Sequence, residues 1–174
     1  MKKYILLLFV FALAIFQSCS TQDYLDKATV DNLVKAKEFT FMAKRAVPSS
    51  NDVARVMVGS IQGSTRLLDL DYGYTLEVTK SKITSTLPYF GRMYTPTSDP
   101  DKQSYRFSSE KFTYQESVEK KNVKVITIRP NDVTHVQRIV MLVYPNGRAY
   151  LTIEATDRQL ISYDGYLMKN DTKK

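Results

Sequence analysis

The sequence predicts a mainly β protein of the α+β class, a strongly bent antiparallel sheet or partly open β-barrel of about eight or nine strands with one N-terminal helix. Three observations lead there. Two-residue alternation dominates from Tyr74 onward, as in Tyr74, Leu76 and Val78 against Thr75, Glu77 and Thr79. Turn clusters recur at short intervals, at Glu119-Lys120-Lys121-Asn122, Pro130-Asn131-Asp132 and Pro145-Asn146-Gly147, which is the punctuation of a meander. Only the segment from Tyr24 to about Glu38 has clear helical spacing, through Leu25, Val30, Leu33, Val34 and the aliphatic stem of Lys37.

The chain opens with Lys2 and Lys3, an unbroken apolar run from Tyr4 to Phe16, then Gln17, Ser18 and its only cysteine, Cys19. A basic start, a short apolar core and a small residue form the layout of a secretory signal. The run is shorter than the roughly 20 residues that span a bilayer as a helix. A cysteine at the end of such a signal is where bacterial lipoproteins are cleaved and acylated. Residues 1–18 are therefore expected to be a signal peptide, Cys19 a lipidation site, residues 19–23 a tether and residues 24–170 a single β-rich domain. Cleavage to a soluble periplasmic protein with one free thiol is the competing expectation. With no second cysteine, no intrachain disulfide forms.

After the helix, Phe39, Phe41 and Ala43 alternate with Thr40, Met42 and Lys44 as a strand, with a helix continuing to Arg45 as the alternative. Pro48 to Asn51 breaks the pattern, and the stretch to Thr65 reads as an irregular excursion around the apolar piece Val53 to Val58. Phe112, Tyr114 and Val118 alternate with polar neighbours, and Val123 to Ile128 follows as the next strand. The clearest hairpin is Arg138 to Thr156. Its apolar run Ile139 to Tyr144 turns at Asn146-Gly147, a pair suited to positive backbone angles, and returns through Ala149, Leu151, Ile153 and Ala155. The outgoing strand is expected to be covered on both faces and the return strand on one. A last strand runs from Gln159 to Leu167, with Asp164-Gly165 as a bulge or bend.

Removing residues 1–18 leaves 23 basic and 18 acidic residues, a net of +5, which is mild for a chain of this length. The lysines are scattered, as on a solvated surface, and no nucleic-acid partner is expected, because export removes the protein from it and no basic helix or recognised binding motif is present. An anionic lipid surface or an envelope glycan is compatible with the balance. His135 is the only histidine, which removes histidine-rich zinc sites and Cys-His pairs, and no serine sits in a nucleophile elbow. The acid pairs Asp69/Asp71 and Asp99/Asp101 are the remaining candidates for glycosidase or calcium chemistry, but Asp99-Pro100-Asp101 lies in a Ser/Pro-rich loop and Asp69 and Asp71 flank an apparent strand start. No enzyme, cofactor or metal is expected.

Twelve tyrosines with no tryptophan make the tyrosine hydroxyl the typical aromatic handle of this chain. Carbohydrate sites, peptide sites and ordinary sheet rims all use that mixture of ring and hydroxyl. The segment Leu87-Pro88-Tyr89-Phe90-Gly91-Arg92-Met93-Tyr94 is the strongest candidate site. Pro88 and Gly91 fix a bend that aims Tyr89, Phe90, Arg92 and Tyr94, and Arg92 is able to grip a carboxylate or phosphate. The competing expectation is a structural corner with its aromatics packed inward.

Phe39-Thr40-Phe41-Met42-Ala43, the Leu87–Tyr94 segment, Gly147-Arg148-Ala149 and Arg158-Gln159-Leu160-Ile161-Ser162-Tyr163-Asp164-Gly165 resemble the recurrent blocks of a family known as domain of unknown function 4251. The resemblance spans nearly the whole chain after Cys19. It implies a small, exported, lipid-modified envelope protein of a Gram-negative bacterium and brings no assigned activity or functional residue. Met93, often alanine in that family, and the stretch Ser49–Leu67 depart from the pattern.

These readings converge on a lipid-anchored, non-enzymatic envelope protein facing the periplasm, held to its membrane through lipid on Cys19. It is expected to bind a small amphiphile or a peptide segment in the concave face of the sheet near Tyr89, Phe90, Arg92 and Tyr94. The alternative is an interaction module that docks on another envelope protein through an edge strand. A ligand carrier needs an apolar cavity; a docking module has a filled core.

Overall fold

The computed structural model describes residues 24–49, 68–94 and 103–170. The helix α1 spans Lys27–Ala36 and nine strands follow: β1 Phe39–Pro48, β2 Thr75–Val78, β3 Ile83–Leu87, β4 Tyr105–Ser109, β5 Phe112–Val118, β6 Lys124–Pro130, β7 Val136–Val143, β8 Arg148–Ala155 and β9 Ile161–Met168. The excursion around Val53–Val58 and the pair Asp99/Asp101 lie outside the described residues.

The helix starts where Asp26 caps it, its carboxylate accepting from the backbone N–H of Thr29 at 2.9 Å. It stops at Lys37, which takes the left-handed conformation at φ 57°. Two of its apolar residues, Val30 and Val34, are fully buried. Valine is a modest helix former, so this ten-residue helix depends on that burial rather than on propensity. Beyond the cap the chain is strand throughout β1, which decides against a helix continuing to Arg45.

All the strands form one antiparallel sheet in the order β4-β3-β2-β1-β9-β8-β7-β6-β5. The edge strands β4 and β5 are separated in sequence only by Glu110 and Lys111. Two residues span a few ångströms, so the opposite edges of the sheet meet at this corner and the sheet is curled into a nearly closed barrel. Asp132, from the β6–β7 turn, staples the corner. Its carboxylate accepts from Ser109 Oγ and from the backbone N–H groups of Glu110 and Lys111, at 2.8 and 3.0 Å for the two amides. Those bonds hold the Asp132 carboxyl at about 2, below the usual carboxylate range.

In most strands alternate residues are buried in the core. Phe39, Phe41, Leu76, Ile83, Leu87, Tyr105, Ile126, Ile128, Met141, Leu151 and Tyr163 are completely buried and belong to one core cluster with Val30 and Val34 of the helix. The helix lies between the β7–β8 turn and β5. The N–H groups of Tyr24 and Leu25 donate to the Asn146 carbonyl at 3.0 and 3.2 Å, Asp31 pairs with Lys124 at 3.3 Å, and the Tyr114 hydroxyl donates to the Val34 carbonyl.

Three details differ from the sequence reading. In β7 the outward Val140 and Leu142 are half-buried rather than covered, so this strand alternates like its neighbours. The irregularity expected at Asp164-Gly165 is carried by the partner strand: the β1–β9 register shifts between Ala43 and Arg45, leaving Lys44 as the extra residue. Gly165 is required there for another reason, since a Cβ on it would stand 2.1 Å from the Met42 carbonyl oxygen and 2.9 Å from the Phe41 ring. Lastly, in the β7–β8 turn Gly147 alone takes a positive φ, of 80°.

Candidate functional site

The Leu87–Tyr94 segment leaves β3 and folds against the β8–β9 connection. The N–H of Tyr94 donates to the Asp157 carbonyl at 2.8 Å and the N–H of Gln159 to the Arg92 carbonyl at 3.0 Å, around a bridge between Met93 and Arg158. The Tyr89 hydroxyl donates to the carbonyls of Arg92 and Gln159 at 2.9 and 3.1 Å, and the Tyr163 hydroxyl to that of Pro88. The four candidate residues therefore divide. Tyr89 and Phe90 pack against the core, whereas Arg92 and Tyr94 face solvent, Tyr94 at 64% exposure. Pro88 and Gly91 build a corner in which backbone carbonyls, rather than the Arg92 guanidinium, make the contacts.

At the centre of that corner is Arg158, only 2% exposed. Its guanidinium carbon sits 5.1 Å from the ring centre of Tyr89 and 5.0 Å from that of Tyr105, and the two rings meet edge to face. Nε and one Nη donate to the two carboxylate oxygens of Asp157 at 2.9 and 2.8 Å, and the other Nη to the Ser104 carbonyl at 3.3 Å. Burial opposes charge on Arg158, but the Asp157 carboxylate outweighs it and raises the Arg158 pKa, while the hydrogen bonds from Arg158 hold the Asp157 carboxyl below its ordinary value. Burial also pushes the hydroxyls of Tyr89, Tyr105 and Tyr163 upward. His135 stacks edge-on to Phe107 and is lowered by burial, which keeps it neutral at pH 7. Among the described residues, the buried Tyr105 hydroxyl, Gln159 Oε1 and Ser85 Oγ have no hydrogen-bond partner.

The surface concavities are elsewhere. On the outer face of the sheet, Leu142, Tyr144, Asn146, Arg148, Tyr150 and Asp164 line a cavity of about 500 Å³. A neighbouring one of about 620 Å³ is lined by Tyr24, Lys44, Arg45, Asp69, Leu70 and again Arg148 and Asp164. Strand register explains the grouping, because Leu142 lies opposite Tyr150, Tyr150 opposite Asp164, and Arg148 opposite Tyr166. Arg148 reaches diagonally to Asp164 with three contacts of 3.0 to 3.2 Å. Tyr24 lies flat on Tyr166 with ring centres 4.3 Å apart, and Lys44 Nζ lies over the Tyr24 ring at 5.8 Å from its centre. Asp69 pairs with Arg45 at 3.7 Å, while Asp71 is exposed. Cys19 lies outside the described residues, and among these no helix is long and apolar enough to cross a membrane.

Neither cluster was singled out as a site by the sequence. A buried arginine leaves no trace in periodicity, although Arg158 heads one of the blocks that carry the family resemblance. The groove was within reach, since a hairpin turning at Pro145-Asn146-Gly147 sets Leu142 against Tyr150 by register alone.

Comparison with known proteins identifies the chain at the level of family. The family model described as Domain of unknown function (DUF4251) matches residues 21–167. The chain belongs to this family. A DUF4251 family protein from Bacteroides eggerthii, solved by crystallography, is similar in fold, with a TM-score of 0.50 at 10% identity, over 85% of this chain and 92% of that one. No curated protein matches. At that identity the DUF4251 likeness concerns architecture, and the family description carries no activity.

Proposed function

We propose that this DUF4251 protein is a non-enzymatic, lipid-anchored module of a Gram-negative cell envelope, facing the periplasm, that binds its partner on the outside of its barrel. The observation that carries this reading is the concave face. Among the described residues it is occupied by the protein's own side chains, from Phe39 and Phe41 through Ile126 and Met141 to Tyr163, all fully buried. The cavities lined by Tyr144, Tyr150 and Asp164, and by Tyr24, Lys44 and Asp69, open on the opposite face. Anchoring is supported by the Lys2-Lys3, Tyr4–Phe16, Cys19 layout and by the closeness of Cys19 to Tyr24, where the described fold begins. β5 supports docking of a peptide strand, because among the described strands it pairs with β6 alone and four consecutive residues, Gln115 to Val118, are exposed.

A small polar ligand in the concave face is the second reading. It is favoured by the buried Tyr105 hydroxyl and Gln159 Oε1, which have no hydrogen-bond partner among the described residues. Native mass spectrometry of the protein purified from its own envelope, with Cys19→Ala alongside, separates the two. A lipid-sized increment on the Cys19 chain only, with nothing released on denaturation, is the expected result. A released small molecule overturns outside binding, and a missing increment overturns the anchor.

A further inference from the structure

We propose that the groove over β7, β8 and β9 is a saccharide site, in which Tyr144 and Tyr150 pack on pyranose rings while Arg148, Asp164 and Asn146 bond to their hydroxyls. The inference rests on binding at the outer surface, as proposed above, and not on the lipid.

The position of the groove within the sheet restricts what fills it. β7, β8 and β9 are each paired on both sides, so their backbone N–H and C=O groups are already used. A peptide strand finds no ladder to extend there, and recognition falls to side chains alone. Among the described residues Leu142 is the one aliphatic side chain lining the 500 Å³ cavity, which disfavours a lipid chain. Arg148 and Asp164 neutralise each other, which disfavours a bare anion. What remains is a neutral ligand with apolar faces and many hydroxyls.

The side chains supply both halves of that chemistry. Tyr144 is 38% exposed and Tyr150 half-buried, so each ring is anchored by the sheet and still reachable. A ring with two side-chain torsions offers contact area at low entropic cost. Arg148 bonds Asp164 through Nε and one Nη, leaving the other Nη to donate outward. The Asn146 side-chain oxygen accepts from the Arg148 N–H at 3.2 Å, which aims its amide nitrogen away from the turn as a donor. The Asp164 oxygens have lone pairs beyond those that Arg148 uses, and act as acceptors. Donors and acceptors thus line the same groove as the two rings, Arg148, Tyr150 and Asp164 held by strand register and Tyr144 and Asn146 by the tight β7–β8 turn. Both cavities fall within the range of small-molecule sites, and they share Arg148 and Asp164, which makes room for more than one sugar unit.

The test is a glycan array probed with the purified full-length protein, followed by saturation-transfer NMR of the best neutral oligosaccharide against variants. Tyr150→Ala and Tyr144→Ala are each expected to weaken binding at least tenfold, while Tyr94→Ala, outside the groove, leaves it unchanged. Melting curves establish that the variants fold, and Tyr144→Ala decides if Tyr150→Ala does not. No bound glycan on the array overturns the inference. So does binding indifferent to both tyrosines, or binding confined to acidic glycans and abolished by salt. A small molecule released in the mass spectrometry above signals instead that outside binding itself has failed.

Discussion

Removing the Asp157 carboxylate should damage this fold far more than removing the arginine it serves. In Asp157→Ala the Arg158 guanidinium stays between Tyr89 and Tyr105 at 2% exposure and loses two charge-assisted hydrogen bonds, of 2.8 and 2.9 Å. Leaving a buried charge without its carboxylate costs about 3–5 kcal/mol. The Asp157 side chain is 28% exposed, so water enters where it stood and the low end of that range applies, about 3 kcal/mol. For a domain of this size that corresponds to a fall in Tm of about 6–12 °C. Arg158→Met, by contrast, removes the charge together with its desolvation cost, and its thioether fills the gap between two aromatic rings. Its change should stay within about 1 kcal/mol. Urea unfolding followed by tyrosine fluorescence and far-UV circular dichroism reads both, and the double variant should be more stable than Asp157→Ala alone. A loss below about 1 kcal/mol in Asp157→Ala, or an Arg158→Met variant equally damaged, would refute the reasoning.

The remaining expectations concern the closure of the barrel and its response to acid. Gly165→Ala forces a methyl against the Met42 carbonyl and the Phe41 ring, and should lower the urea midpoint by an amount equivalent to about 3 kcal/mol with an unchanged slope. Asp132 has a folded pKa of about 2 against an ordinary value of about 3.9, so its stabilisation is complete above the latter and lost as pH falls through the former. Urea midpoints compared at pH 5 and pH 2.5 should therefore depend less on pH in Asp132→Asn than in the parent. His135 is depressed by burial, so it resists protonation in the fold and its contribution is lost as pH falls below about 6.5. Melting temperatures of His135→Gln should vary less than the parent's between pH 7 and pH 5.

Those residues also mark where the sequence was readable. Alternation disclosed β1, β2, β5 and β8, because their core-facing positions are largely apolar and most of the residues between them polar, while β7 was legible as an apolar run ending in a turn. β3 and β4 escaped individual notice: β3 interleaves Ile83 and Leu87 with Thr84, Ser85 and Thr86, and β4 has arginine and serines among its five residues, so hydrophobicity hardly oscillates. The outward coverage expected for β7 is not met because no second layer covers Val140 and Leu142, which stay half-buried, Leu142 as part of the wall of the outer groove. The Leu87–Tyr94 bend was legible from Pro88 and Gly91. Its content was not, since the residue that organises it, Arg158, lies far along the chain and is brought there by the β8–β9 connection.

The pairing of β1 with β9 also governs the order in which the protein becomes whole. Phe41 meets Leu167, and Ala43 meets Gly165, so an early strand is bound to the last. A chain emerging amino end first presents one flank of β1 with no neighbour until almost the whole polypeptide has appeared. The hairpins from β5 to β8 assemble locally and in sequence, but the cylinder closes in a single late event dominated by distant contacts. Between those moments the underside of Phe39 and Phe41 is an adhesive surface, and that interval is when this polypeptide most needs a chaperone.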